Sequence, residues 1–240
     1  MKVTVIGCGN AFSYKNYNQS FLLEEGTSKL LIDCGTRTPM ALHNLGIDLK
    51  SITDVYISHA HGDHCGGLEE LAFLRYDWLN KPRMYNDYAP GKHVHYAPKL
   101  YANKHLLKDL WENTLSGGLK SMEGFDAVLE TYFIPMPVEP NKSFQWKGWN
   151  VSLVQQIHVM TGSVIMNTFG LFVEHVSDKT KKKLFFTTDA QYFQPEQVKL
   201  FYDKADIIFQ DCECIGCNTV DKRMLFKSGV HANYGQLAGW

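Results

Sequence analysis

Three histidines and a carboxylate fall within six residues in the stretch Ser58-His59-Ala60-His61-Gly62-Asp63-His64-Cys65-Gly66-Gly67. Polar side chains gathered this densely behind an apolar strand are costly unless they share a ligand. His59 and His61 are two apart, so in extended backbone both rings point to one side. Asp63 and His64 then fall on a turn, ahead of a helix starting near Gly66. One cation can take the first two imidazoles and a second the carboxylate and imidazole that follow. Such donors suit zinc, manganese or iron and need no cysteine.

A dinuclear centre needs more donors than one loop supplies. His158 follows a strand ending Gln156-Ile157, as His59 follows its own strand, and Asp189 follows Leu184-Phe185-Phe186-Thr187-Thr188 in the same manner. Both are candidate ligands. His93-Val94-His95 repeats the two-apart spacing, but no strand leads into it, so a surface or pocket rim is the simpler reading. His43, on an amphipathic helix, and His175, on a strand, read as structural. Six cysteines, at 8, 34, 65, 212, 214 and 217, are too sparse for a disulfide scaffold. Cys212-Glu213-Cys214-Ile215-Gly216-Cys217 has the outline of a metal knuckle. A tetrahedral zinc site needs a second ligand pair, and none lies nearby, so reduced thiols on a turn are the simpler reading.

The elements that must hold these residues can be read from periodicity. Val3 to Ile6, Ser20 to Glu25 and Lys29 to Ile32 are strand-like, with a Gly26-Thr27-Ser28 turn between the last two. Thr36 to Leu45 has helical spacing, with Pro39 in its first turn and Gly46 at its end. Val55-Tyr56-Ile57 is a short buried strand that delivers the chain to His59. Leu68 to Leu79 shows one apolar helical face. Residues 81 to 142 are punctuated by prolines and aromatic, with Tyr85, Tyr88, Tyr96, Tyr101, Trp111 and Phe125, and a helical stretch is predicted near Lys99 to Asn113. Strands return at Val151 to Ile157, Val164 to Val173, Leu184 to Thr187 and Ile207 to Gln210. The run Asp178 to Lys183 reads as a solvated hairpin turn. Strands, then helices, then strands and a helix again suggest two similar halves packed as one α/β domain over residues 1–240, with an aromatic, insertion-like segment at about 85–140.

Composition narrows the function classes. Lys plus Arg is 24 against 25 for Asp plus Glu, giving a net charge of -1. Proteins that grip long nucleic acid usually carry a basic excess, which this chain lacks. A small anionic substrate is compatible with it. No apolar run approaches the roughly 18 residues needed to span a bilayer. The first residues alternate like a strand, with no signal-peptide pattern, so a cytoplasmic protein is expected.

His59-Ala60-His61-Gly62-Asp63-His64 resembles the HxHxDH signature of the metallo-β-lactamase fold, and the resemblance extends over nearly the whole chain. Leu30-Leu31-Ile32-Asp33-Cys34-Gly35 is similar to that family's Asp motif, whose carboxylate supports the metal loop. His158 matches the third histidine and Thr188-Asp189 the bridging aspartate. Gly7-Cys8-Gly9-Asn10-Ala11 with Asn18-Gln19-Ser20 resembles the opening of the tRNase Z branch. Ala205-Asp206-Ile207-Ile208 resembles the strand before that branch's acidic motif, with Asp211 where a glutamate is usual. Ser228-Gly229-Val230-His231-Ala232 resembles its Gly-His-Ser/Thr-Ala motif, whose histidine contacts the scissile phosphate. Within the branch the chain resembles the anti-Pycsar cyclic-nucleotide phosphodiesterases of phages and bacteria.

That resemblance implies a four-layer αβ/βα sandwich, with a final strand expected beyond Trp240; the last histidine ligand either lies there too, the reading favoured, or is replaced by His231. It implies two divalent ions, zinc first and manganese second, a homodimer, and cyclic CMP and UMP among the substrates, in the service of defeating a cyclic-nucleotide antiphage defence. His59, His61 and His158 would then share one ion, and Asp63, His64 and Asp189 the other, with Asp189 touching both. Asp63 would orient a metal-bridging hydroxide, while His231, partnered by Asp211, would stabilise the developing charge or protonate the departing ribose oxygen. The product is expected to be a 5′-monophosphate. If phage-encoded, the protein would act in the host cytoplasm. The alternatives are tRNA 3′ processing by the same chemistry, thioester or lactam hydrolysis by the same fold, and a non-catalytic, metal-stabilised nucleotide-binding module. Thioester or lactam hydrolysis would leave the phosphate-facing histidine motif unexplained. An RNA-holding arm would normally fall between His158 and Asp189, where two strands and a short turn already occupy the chain. The 85–140 segment is expected to rim the cleft and to join a homodimer contact.

Overall fold

Alternating apolar residues draw the first 32 residues into an antiparallel meander of β1 (Lys2–Gly7), β2 (Ser20–Glu25) and β3 (Ser28–Ile32). Gly26, at φ +59, turns the chain between the last two. The computed structural model describes residues 1–80, 97–139, 142–191, 196–213, 231–232 and 237. It divides into two compact units, Met1–Val138 and Glu139–Trp240. His93, His95, Cys214 and Cys217 lie outside the described residues.

In the first unit the meander passes into α1 (Thr38–Asn44), which takes Pro in its first turn as expected. After a short 3₁₀ turn comes β4 (Asp54–Tyr56), parallel to β3 with Ile32 opposite Tyr56. The metal-loop residues then wind through α2 (Gly62–Cys65) into α3 (Leu68–Asn80). Beyond it come β5 (Lys99–Asn103), α4 (Lys104–Leu110), one π turn over Trp111–Leu115 and α5 (Ser116–Leu119). A small hairpin, β6 (Ser121–Met122) with β7 (Phe125–Asp126), precedes α6 (Leu129–Tyr132) and β8 (Ile134–Val138). The six-stranded sheet runs β1-β2-β3-β4-β5-β8. Leu22, Leu31, Val55, Leu71, Leu100, Leu110 and Phe133 are buried in its core. Each such side chain stabilises the fold by about 1.5–3 kcal/mol relative to exposure.

Lys99–Asn103 departs from the helix predicted there. It is a strand, parallel to both β4 and β8, with Leu100, Tyr101 and Ala102 buried. The local residues favour helix, and pairing on both sides overrides that preference. The helix begins only at Lys104, where the Asn103 side chain accepts from the His105 N–H at 3.1 Å. The described part of the 85–140 segment thus builds sheet and core.

The second unit is an antiparallel succession of β9 (Ser143–Trp146), β10 (Trp149–Thr161), β11 (Val164–His175) and β12 (Leu184–Phe186), followed by α7 (Glu196–Lys204) and β13 (Ile207–Phe209). The sheet order is β13-β12-β11-β10-β9, with β13 parallel to β12. Lys147 and Gly148, both at positive φ, make the tight β9–β10 turn. Val154, Phe172, Phe185 and Val198 pack with Phe201 and Tyr202 of α7. The lysine-rich run is the solvated β11–β12 turn expected of it: the Asp178 carboxylate accepts from the Thr180 N–H, and Asp206 receives Lys182 and the Lys183 N–H.

Candidate metal centre

Because β3 and β4 are neighbouring parallel strands, Asp33 and the His59 loop leave the sheet at the same edge. Asp33 sits in the left-handed region at φ 59, an uncommon place for a residue with a Cβ. Its N–H is tied to the Tyr56 carbonyl at 2.8 Å. The Asp33 carboxylate, 1% exposed, accepts from the Ser58 N–H, the Ser58 hydroxyl and His64 Nδ1, each at 2.8 Å. The Ser58 hydroxyl has one proton and gives it to Asp33, so its oxygen accepts from His59 Nδ1 at 3.0 Å. One carboxylate therefore sets the tautomers of His59 and His64, turning Nε2 of each outward as a donor to a cation.

His59 Nε2 stands 3.0 Å from His61 Nδ1, and His64 Nε2 stands 3.6 Å from Asp63 Oδ2. Backbone bonds lock this loop to the one after β3: Cys34 N–H to the His64 carbonyl at 2.8 Å, Thr36 N–H to Gly62 at 3.2 Å and Gly67 N–H to Cys34 at 2.8 Å. Gly35 is required by the approach, since a Cβ there would lie 1.8 Å from the Asp63 carbonyl oxygen. Cys34 and Cys65 are both buried. Burial, helped by the Asp33 and Asp63 charges, pushes the Cys65 thiol up to about 12 and Cys34 is raised as well. They are packing residues here, without thiolate character.

In the second unit His158 is placed by a bulge: the β10–β11 register shifts between Ile157 and Val159, which re-aims the residue between them. Asp189 follows β12 after Thr188, which is also left-handed at φ 55. His158 Nε2 is 3.7 Å from Asp189 Oδ2, and His231 Nε2 is 3.8 Å from the same oxygen. Asp211, beyond the parallel neighbour β13, accepts from the Ala190 N–H at 2.9 Å and pairs with His231 Nδ1 at 2.6 Å. Burial pulls the His231 imidazole down, but the bond to Asp211 and the charges of Asp211, Asp189 and Glu213 outweigh it and lift it to about 9. The Asp211 carboxylate thus favours the charged form of the ring. Asp189, Asp211 and His231 offer donor atoms within 4.8 Å of one another.

Metal bonds of about 2.0–2.2 Å set neighbouring donors roughly 3–3.5 Å apart; His59 and His61 stand at that separation, and the other pairs are a few tenths of an ångström wider. The all-imidazole and carboxylate donor set suits divalent cations. The first unit brings together His59, His61, Asp63 and His64, and the second His158, Asp189, Asp211 and His231. Ser58, Gln156, Thr168 and Gly170 support these residues and were not singled out from the sequence. Hydroxyls, amides and glycines in strands carry no spacing signal. His43 is exposed on α1. His175 accepts from the Asp178 N–H at 2.9 Å and packs edge-on against Trp149, a structural role.

A family model described as "Anti-Pycsar protein Apyc1" matches residues 1–239. A protein of that description from Paenibacillus sp. (strain J14) is 43% identical over 159 residues, covering 66% of this chain and 59% of the relative. Another, from Bacillus phage vB_BveM-Goe7, is 29% identical over 244 residues, covering 100% of this chain and 82% of the relative. Among solved structures, human tRNase Z, short form (ELAC1), superposes with a TM-score of 0.66 at 19% identity, covering 100% of this chain and 86% of that one. The fold is the metallo-β-lactamase fold.

Proposed function

We propose, since this chain belongs to the anti-Pycsar Apyc1 family, that it hydrolyses 3′,5′-cyclic nucleotides, cyclic CMP and UMP among them, to 5′-monophosphates with the help of two divalent cations. The observation that carries the reading is the His231–Asp211 pair at 2.6 Å beside Asp189. A charged imidazole held by one carboxylate next to a second suits an anionic ester whose leaving oxygen needs a proton. His59, His61 and His158 are assigned to one cation, and Asp63, His64 and Asp189 to the other, with Asp189 serving both. Zinc is the first choice of metal and manganese the second. When bound, such cations make a water-derived nucleophile available at neutral pH and take up phosphoryl charge.

The residues divide the remaining work. Asp63 accepts a hydrogen bond from the attacking water and orients it. His231, its Nδ1 held by Asp211, presents Nε2–H to the ribose 3′ oxygen. As the water oxygen bonds to phosphorus one of its protons passes to Asp63 and on to solvent, the P–O3′ bond breaks, and the His231 proton goes to O3′, solvent recharging the imidazole afterwards. Asp211 keeps the imidazole oriented and charged for that transfer.

A small substrate is favoured over tRNA because the chain from His158 to Asp189 is taken up by the end of β10, β11, the lysine-rich turn and β12. That leaves no length for an RNA-holding arm there. No helix among the described residues is long and apolar enough to cross a membrane. The reading places the activity in the cytoplasm, the host's if a phage encodes it. The test is a substrate panel of cyclic mononucleotides, a tRNA precursor and a thioester, with zinc or manganese and with chelator. Loss of cyclic nucleotides alone, abolished by chelator, is the expected result. Cleavage of the precursor alone would replace this reading with tRNA processing.

A further inference from the structure

Thr188 raises a question that the metal ligands do not answer: what holds a β-branched residue at φ 55 just before Asp189? Such conformations cost energy and persist only where the surroundings over-determine them. Two buried polar side chains from other strands converge on this turn. Thr168 of β11 donates its hydroxyl to the Asp189 carbonyl at 2.8 Å. Gln156 of β10 donates Nε2 to the Thr187 carbonyl at 2.5 Å. Both are 0% exposed.

The reach of Gln156 depends on one missing side chain. In the sheet β11 lies between β10 and β12, so the amide must cross β11 to meet the end of β12. It crosses at Gly170, where a Cβ would stand 2.5 Å from Gln156 Nε2, 2.6 Å from the Phe186 carbonyl oxygen and 3.1 Å from that of Thr187. Gln156 and Thr168 are directly opposed in the register, which puts their side chains on one face. Gln191 adds a third tie, its N–H to the Ile157 carbonyl at 3.0 Å and its Nε2 to the His158 carbonyl at 2.8 Å. A turn needed only for folding could be packed with apolar residues. Here buried hydrogen bonds clamp the carbonyls on both sides of the strained residue.

We infer that Gln156, Thr168 and Gly170 are positioning residues that aim the Asp189 carboxylate, an inference resting on the reading of Asp189 as a metal ligand. They touch the backbone around Asp189 rather than its carboxylate, so they act through its orientation. The effect expected is that of partners one step removed from a metal, about 10–100-fold in metal affinity when removed.

Thr168→Val and Gln156→Leu keep shape while deleting each donor, and Thr168→Ser restores the hydroxyl. Zinc and manganese binding to the metal-depleted full chain is measured by competition with a chelating fluorophore, and kcat and KM are measured on cyclic CMP. The expected result is weaker binding of the cation that Asp189→Asn also weakens, lower kcat with KM held, an unchanged circular dichroism spectrum, and recovery in Thr168→Ser. Gly170→Ala should move in the same direction. If Asp189→Asn loses metal while Thr168→Val and Gln156→Leu bind as wild type, the positioning role is wrong and the ligand reading stands. If Asp189→Asn itself binds metal as wild type, both are wrong.

Discussion

At the scale of single residues the chemistry depends on where protons sit. Asp33 fixes Nδ1–H on His64 directly and on His59 through the Ser58 hydroxyl, so these rings have one orientation before any cation arrives. His61 meets His59 nitrogen to nitrogen at 3.0 Å. His61→Ala should therefore abolish cyclic-nucleotide hydrolysis and remove the rise in melting temperature that metal gives the wild type, because metal binding is linked to folding. Differential scanning fluorimetry with and without zinc, beside an activity assay, measures both. His231 is assigned to proton transfer. His231→Ala should cut turnover by about 10²–10⁴-fold, the usual scale of acid–base help, with metal content unchanged by elemental analysis. Loss of one metal equivalent would instead make it a ligand. His59, His158 and Asp189 stood out in the sequence because each follows a strand-like run, and His61, Asp63 and His64 by their spacing after His59, whereas His231 and Asp211 were reached only through motif resemblance. Ser58, Thr168 and Gln156 were not legible, since a hydroxyl or amide acquires its role only when a distant carboxylate or carbonyl is brought beside it.

At the scale of elements, both units use one device: a short buried strand ends, a non-glycine residue turns left-handed, and a carboxylate comes at or just after the turn. Asp33 follows β3 at φ 59, and Asp189 follows Thr188 at φ 55 beyond β12. Close packing makes room for each turn, at Gly35 in the first unit and Gly170 in the second. Gly35→Ala would drive a Cβ into the Asp63 carbonyl, a backbone atom that cannot swing aside. Overpacking of this kind costs typically about 1–3 kcal/mol. The expected outcome is a lower urea midpoint together with weakened metal binding, read by denaturation and by metal titration of the variant. Strand existence was legible for β1 to β4 and β10 to β13 from alternation and apolar runs. β5 was not. Its residues favour helix, and only β4 and β8 on either side make it a strand. His158's placement by a bulge was invisible for the same reason, since a register shift belongs to a pair of strands.

At the scale of the whole molecule, a near-neutral chain with a net charge of -1 suits a compact anionic substrate better than a long polyanion. The reading includes a homodimer, so light scattering on the purified protein should give twice the 27.4 kDa chain mass; a monomer at micromolar concentration would remove that element. The segment at about 85–140 cannot simply be cut out to test the dimer, because β5 and its buried Leu100, Tyr101 and Ala102 lie within it. The central claim is that His59, His61, Asp63, His64, His158 and Asp189 gather two cations that make this fold a cyclic-nucleotide phosphodiesterase. The most direct measurement titrates metal-depleted protein with zinc or manganese while following cyclic CMP hydrolysis and identifying the product by chromatography. Activity should rise from nothing, saturate at two equivalents per chain and yield only the 5′-monophosphate. Full hydrolysis in the presence of chelator, or saturation with metal and no turnover of any cyclic nucleotide, would contradict it.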